Sequence, residues 1–246
     1  MPIKAIFLDM DETLCDTQGA NIKALELFTQ KSTELFSTPF NEQQFSEDYL
    51  KGVYKELAIV PSLQKQCETE GEFRLLLIQT LLNEQGVKCS KEDAQTLQNT
   101  FDEQRMQLFD FFPGCKEMLK RLRHDYHLTV ITNGPTFSQY PKLDAVKMEE
   151  HVDHILVGGD LVEQGREEKP HPEIFELALA QAKCKASEAI HVGDSLKADI
   201  GGANRMNMLN VWINPLHPQE KHFEDAHKPF YTIPNIIELE ALLKEI

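Results

Sequence analysis

The feature that most constrains this chain is a long interruption after its first strand. Five short β-rich runs stand out: IKAIFLDM (3–10), LTVITN (128–133), HILVG (154–158), AIHVGD (189–194) and LNVWIN (209–214). Most are nearly continuous apolar runs, the pattern of strands covered on both faces. Helical patterns accompany the last four: GCKEMLKRLRHDY after Pro113, HPEIFELALAQAK after Pro170 and SLKADIGGANRM after Gly193. NIIELEALLKEI reads as a closing helix. Alternating strands and helices imply a parallel α/β sheet. The first run breaks that alternation. Residues 17–111 follow it, far more than a crossover needs. They read as helices in ANIKALELFTQKSTELF, around 41–58, in GEFRLLLIQTLLNEQ and in KEDAQTLQNTFDEQRMQLF. In the last, Ala94, Leu97, Phe101 and Leu108 fall on one helical face.

The fold class that follows is α/β: a parallel, Rossmann-like sheet flanked by helices, with an inserted all-helical domain. Residues 1–16 and 112–246 would form the α/β core and 17–111 the insertion. FFPGC at 111–115 marks the return to the core.

Composition narrows the function. The formal net charge of −15 disfavours a general nucleic-acid surface, which needs a basic footprint. It leaves room for a small anionic substrate, because local positive charge or a bound metal suffices. No apolar run approaches membrane-spanning length. A strand starting at Ile3 leaves no room for a signal peptide. The cysteines (Cys15, Cys67, Cys89, Cys115, Cys184) are odd in number and form no CxxC pair, so a reducing cytoplasm is the expected compartment.

In a parallel α/β sheet, ligands bind beyond the carboxyl ends of the strands. Strand one ends in Asp9 and Asp11, strand two in Thr132-Asn133-Gly134, and strand four in Gly193-Asp194-Ser195, with Asp199 one helical turn on. The loop after strand three leads to Lys169 in REEKP. Asp9, Asp11 and Asp194 brought together would repel unless a cation joined them. Oxygen-only ligands suit Mg²⁺, which commonly binds one or two carboxylates plus substrate phosphate oxygens. A carboxylate could then attack a phosphate ester. The Thr132 hydroxyl and Asn133 can donate to phosphoryl oxygens, and Lys169 can neutralise charge. The second aspartate can protonate the leaving group and later deprotonate a water.

DMDET, TNG, the Lys169–Pro170 pair and GDSLKAD resemble, in this order, the four motifs of the haloacid dehalogenase (HAD) superfamily. The insertion sits where that family carries its helical cap. The resemblance implies Asp9 as the nucleophile that becomes an aspartyl-phosphate. It implies Asp11 as the general acid–base, with its backbone carbonyl on the metal. Thr132, Asn133 and Lys169 would bind phosphate, Asp9, Asp11 and Asp194 would hold Mg²⁺, and Asp199 would be an outer support. The dehalogenases lack an aspartate at position 11, so its presence points to the phosphatase branch. VGGDLVEQGREEKPHPEIF is similar to the N-acylneuraminate-9-phosphatase branch and to nucleoside-monophosphate phosphatases. The partner expected is a small phosphorylated metabolite such as a sugar phosphate. The alternatives are a 5′-nucleotidase and, from outside enzymes, a regulatory or binding protein that retains the fold.

Other residues read as structural. His124, His127, His151, His154, His171 and His191 lack zinc-ligand spacing. His191 reads as a packed, hydrogen-bonded histidine, Cys15 as a small packed residue, and Ser195 as a helix cap. Arg74 and Arg105 read as exposed helix charges. Substrate choice is assigned to the insertion and a 134–142 loop. The oligomeric state stays open.

Overall fold

The computed structural model describes residues 2–214 and 225–246. By contact they divide into two compact units, Met1–Thr17 with Phe109–Ile246, and Gln18–Leu108.

The second unit is helical: α1 (Thr17–Leu35), α2 (Glu42–Val53), α3 (Val60–Gln64), α4 (Glu70–Glu84) and α5 (Lys91–Leu108). Local signals start two of them. The Asn41 side chain accepts the Gln44 N–H at the head of α2. Thr69 and Glu72 form a reciprocal capping box at the head of α4. Phe28, Phe45, Tyr49, Phe73, Leu77 and Phe101 fill the core of this unit. Each such side chain, fully buried, contributes about 1.5–3 kcal/mol. Two sequence expectations for α5 and α4 change. Leu108 is exposed, so the face runs through Ala94, Leu97, Gln98, Phe101 and Arg105. Arg74 and Arg105 are buried rather than exposed. Asp102 pairs with both, at 3.5 and 3.1 Å, which is what lets two guanidinium groups leave water.

The first unit carries the sheet: β1 (Ala5–Leu8), β2 (His127–Thr132), β3 (His154–Val157), β4 (Ala189–Gly193), β5 (Leu209–Ile213) and β6 (Tyr231–Ile233). The strand order is β3-β2-β1-β4-β5-β6, and every pairing is parallel. All five expected strands form. β6 is additional; its three residues are too short to stand out as an apolar run. Flanking helices are α6 (Cys115–Asp125), α7 (Thr136–Ala145), α8 (Gly158–Glu163), α9 (Pro172–Ala182), α10 (Gly201–Arg205) and α11 (Leu239–Leu243). The segment expected as a 134–142 loop is largely α7; Pro141 inside it obscured the helical pattern. SLKADIGGANRM is a π-helical turn over Leu196–Ile200 running into α10. No helix among the described residues is long and apolar enough to cross a membrane.

The central strand sets the site. β1 lies between β2 and β4, where strand order reverses, and such switch points bind ligands at the strand carboxyl ends. β1 is wholly buried, and its pairing with β4 continues past the strand, with Asp9 N–H donating to Val192 O at 2.9 Å. The chain then turns sharply: the N–H groups of Leu14 and Cys15 both return to Met10 O, and Glu12 adopts a left-handed φ of 57°.

Candidate active site

Asp9 is buried at the end of β1. The ammonium of Lys169, also buried, donates to Asp9 Oδ1 at 2.6 Å, to Ile131 O at 2.6 Å and to Asp199 Oδ1 at 2.8 Å. Those bonds use all three of its protons. Lys169 is therefore spent on the two aspartates and a strand-end carbonyl. Burial alone would lower its pKa, but Asp199 and Asp9 outweigh that and hold it above the usual lysine range.

Asp199 is heavily engaged too. Its Oδ1 accepts Lys169 and the Nε2–H of His191 at 2.9 Å, and its Oδ2 accepts Ser195 N–H at 3.0 Å. Burial would raise its carboxyl, yet Lys169 and the His191 bond hold it well below the usual range. Gly193 makes this possible, because a Cβ there would lie 2.2 Å from Asp199 Cγ. His191 is buried under the edge of Phe175, and burial above all keeps its pKa low, so it is a neutral donor. Ser195 caps the following turn by accepting Ala198 N–H.

Asp194 is different. No ammonium or guanidinium contacts it among the described residues. Burial, then Asp199, push its carboxyl up to about 7. Its backbone is pinned from β5, where Trp212 Nε1–H donates to Asp194 O at 2.7 Å. Burial, helped by Asp199, Asp194 and Asp11, also pushes Asp9 well above its ordinary value, against the pull of Lys169.

Carboxylate oxygens of Asp9, Asp194 and Asp199 lie within 4.8 Å of one another. Fully ionised, these groups carry three negative charges against the one positive charge of Lys169. The remainder of two, on hard oxygen donors, fits a divalent cation of the Mg²⁺ type. Because Asp199 already accepts three donors from the protein, Asp9 and Asp194 are the carboxylates with more capacity left.

The Asp11 carboxylate does not join this cluster, contrary to the convergence expected from the sequence. It turns to α7 and to Thr17. Lys142 Nζ donates to its Oδ1 at 2.8 Å, Gln139 Nε2 donates to its Oδ2 at 3.0 Å, and the Thr17 hydroxyl also donates to Oδ1. Burial would raise its pKa, but Lys142 and these bonds hold it low, as a carboxylate.

Thr132 is buried at the end of β2, and among the described residues its hydroxyl makes only a long 3.4 Å bond to Asn133 O. The Asn133 side chain, expected to bind phosphate, is engaged by the Lys169 backbone. Its Nδ2 donates to Lys169 O at 2.7 Å and its Oδ1 accepts Lys169 N–H at 3.0 Å. Glu168 adds a further tie, accepting Gly134 N–H at 2.9 Å. The TNG turn and the lysine loop are thus stitched together, and Asn133 fixes where Lys169 starts. Cys15 is packed and unreactive, its thiol pushed far up first of all by burial.

Sequence reasoning missed Thr17, Gln139, Lys142 and Glu168. A signal existed for two of them: Gln139 and Lys142 are three apart, one helical face, directly after the TNG turn.

Comparison with known proteins adds to this geometry. Residues 6–213 match the family model described as haloacid dehalogenase-like hydrolase. The chain is 27% identical to human N-acylneuraminate-9-phosphatase, over 99% of this chain and 95% of that protein. It is 27% identical to the Escherichia coli pyrimidine 5′-nucleotidase YjjG, over 97% and 96%. The magnesium-bound structure of the HAD-hydrolase YfnB from Bacillus subtilis shares the fold, with a TM-score of 0.72 at 22% identity over 99% of each chain.

Proposed function

This chain belongs to the haloacid dehalogenase-like hydrolase family, and from that premise we propose Mg²⁺-dependent hydrolysis of a small phosphate monoester through a phosphorylated Asp9. The chain is a phosphoric monoester hydrolase acting on small phosphorylated metabolites. The observation that carries the mechanism is the environment of Asp9. It is buried at a strand end, gripped by Lys169 at 2.6 Å, and shares a carboxylate cluster that fits a divalent cation.

Asp9 and Asp194 would hold Mg²⁺ with the backbone carbonyl of Asp11. When bound, the ion would supply positive charge beside the nucleophile and the phosphoryl oxygens. Lys169 keeps the Asp9 carboxylate oriented, and His191 and Asp199 keep Lys169 in place. An Asp9 oxygen attacks phosphorus while the bond from phosphorus to the ester oxygen breaks. Asp11, a carboxylate in the free chain, would take up a proton as the anionic substrate binds and give it to the departing oxygen. Asp11, now a carboxylate, takes a proton from water as that water attacks phosphorus, and the bond from phosphorus to Asp9 breaks. Asp9 is regenerated and inorganic phosphate leaves. The Thr132 hydroxyl is available to donate to a phosphoryl oxygen; Asn133 acts through the lysine loop.

For substrate, the reading is a sugar phosphate such as N-acylneuraminate 9-phosphate, supported by relatives of that specificity at 26–27% identity along nearly the whole chain. The YjjG match supports nucleoside monophosphates as the second reading. The helical unit, as a cap, would select the leaving group. The test is phosphate release with Mg²⁺ and with EDTA from p-nitrophenyl phosphate, sialic acid 9-phosphates, sugar phosphates and nucleoside monophosphates. Mg²⁺-dependent release, with the highest kcat/KM on a sialic acid 9-phosphate, is expected. A preference for pyrimidine monophosphates would select the second reading. Absence of release from every ester would refute the activity and favour a binding role.

A further inference from the structure

A carboxyl group that first gives and then takes a proton must be held where both oxygens of the reaction can reach it. Asp11 lies just past β1, inside a tight turn closed by Leu14 and Cys15 N–H on Met10 O. The groups that hold its side chain come mainly from α7. We propose that Lys142 and Gln139 are positioning residues for Asp11, a clamp that sets where the proton carrier of the reaction stands; this rests on the acid–base reading of Asp11 given above.

The geometry is a fork. Lys142 Nζ takes Asp11 Oδ1 at 2.8 Å and Gln139 Nε2 takes Oδ2 at 3.0 Å, so both carboxylate oxygens are bound from one helix. Thr17 supports Oδ1 from the other side. Gln139 donates its second amide proton to Asn133 O, which ties the fork to the TNG turn. Its Oε1 is buried and finds no partner, so the side chain is oriented by its donors alone.

Two features argue against a merely structural role. Both side chains are buried, and a buried ammonium and amide cost more than apolar residues of the same volume would. The backbone is also shaped around the fork. Gly134 has φ +114°, and a Cβ there would lie 2.7 Å from Gln139 Nε2. The glycine of TNG thus clears the path by which Gln139 reaches Asp11. The second motif therefore serves the first through α7, besides its service to Lys169.

The experiment compares Lys142→Met, Lys142→Arg and Gln139→Ala in the wild-type and Asp11→Asn backgrounds. The kcat/KM, which reports the step in which the leaving group departs, is measured with Mg²⁺ on aryl and alkyl phosphates of graded leaving-group pKa, and folding is checked by circular dichroism melts. Lys142→Met and Gln139→Ala should slow alkyl esters by about 10²-fold or more, and p-nitrophenyl phosphate by less than about tenfold, because the latter needs no leaving-group proton. Lys142→Arg should recover part of the alkyl activity. In the Asp11→Asn background neither substitution should cost more, since the group being positioned is gone. A leaving-group dependence like the wild type's in folded variants, or an equal further loss on top of Asp11→Asn, would overturn the clamp. An Asp11→Asn enzyme whose kcat/KM falls equally for all esters would overturn the acid–base reading and the clamp with it.

Discussion

Asp194 and Asp199 belong to one loop and turn, yet replacing each by asparagine should move stability in opposite directions. Asp199 accepts three buried donors, Lys169 at 2.8 Å, His191 at 2.9 Å and Ser195 N–H at 3.0 Å. Asparagine offers one oxygen and one NH₂, so in either orientation an N–H faces an N–H. Removing one partner of a buried ion pair costs about 3–5 kcal/mol. Asp9 still faces Lys169, so Asp199→Asn belongs near the lower end. At about 2–4 °C per kcal/mol for a chain of this size, the melting temperature should fall by roughly 6–12 °C. Asp194 has no cationic side chain in contact among the described residues, and burial and Asp199 push its carboxyl up to about 7. A folded pKa raised above the unfolded value of about 4 means that ionising Asp194 costs stability. The wild type should lose that stability as pH rises from about 4 to about 7. In EDTA at neutral pH, Asp194→Asn should melt at or above the wild-type temperature. Adding Mg²⁺ should raise the wild-type midpoint and leave Asp194→Asn unmoved. Differential scanning fluorimetry with and without Mg²⁺ reads all of this. Asp194→Asn melting as low as Asp199→Asn in EDTA would refute the division between a metal-holding and a structural acid. An Asp199→Asn midpoint within about 2 °C of wild type would refute it equally.

Other perturbations probe other parts of the account. Gly134→Ala places a Cβ 2.7 Å from Gln139 Nε2 on a backbone with φ +114°. It should cost about 1–3 kcal/mol in urea unfolding and slow alkyl esters more than p-nitrophenyl phosphate. Asp153 is held below the usual range, against burial, by the Leu128 N–H and Arg123. Its contribution is present above the unfolded pKa and lost as pH falls through the lowered folded one, so the melting difference between wild type and Asp153→Asn should vanish in acid. Phe28 stacks on Phe45 and Tyr49 and meets Phe101 edge-on. Phe28→Ala should destabilise the helical unit by about 3–5 kcal/mol, read by chemical denaturation.

The sheet was legible because buried parallel strands must be continuously apolar, and β1, β2, β4 and β5 are buried along almost their whole length. β6 carries only Tyr-Thr-Ile, and no period can be read from three residues. The residue types at the strand ends pointed to the chemistry, but side-chain assignments inside the site were less accessible. Asn133 and Asp11 each had several plausible partners in the sequence. Only the fold shows that the Asn133 amide goes to the Lys169 backbone and the Asp11 carboxylate to Lys142. Arg74 and Arg105 illustrate the same gap: a charge on a helix reads as exposed until the partner that buries it, here Asp102, is located. α7 was hidden by Pro141, and with it the pair that holds Asp11.

The central claim is that Asp9 carries the phosphoryl group. The enzyme, mixed with Mg²⁺ and a turning-over ester, is quenched in acid and reduced with borohydride, which converts an aspartyl-phosphate to homoserine. Peptide mass spectrometry then locates the change. Homoserine at position 9, dependent on substrate, is predicted. Homoserine at another aspartate, or unmodified Asp9 while phosphate is being released at the same rate, would contradict it.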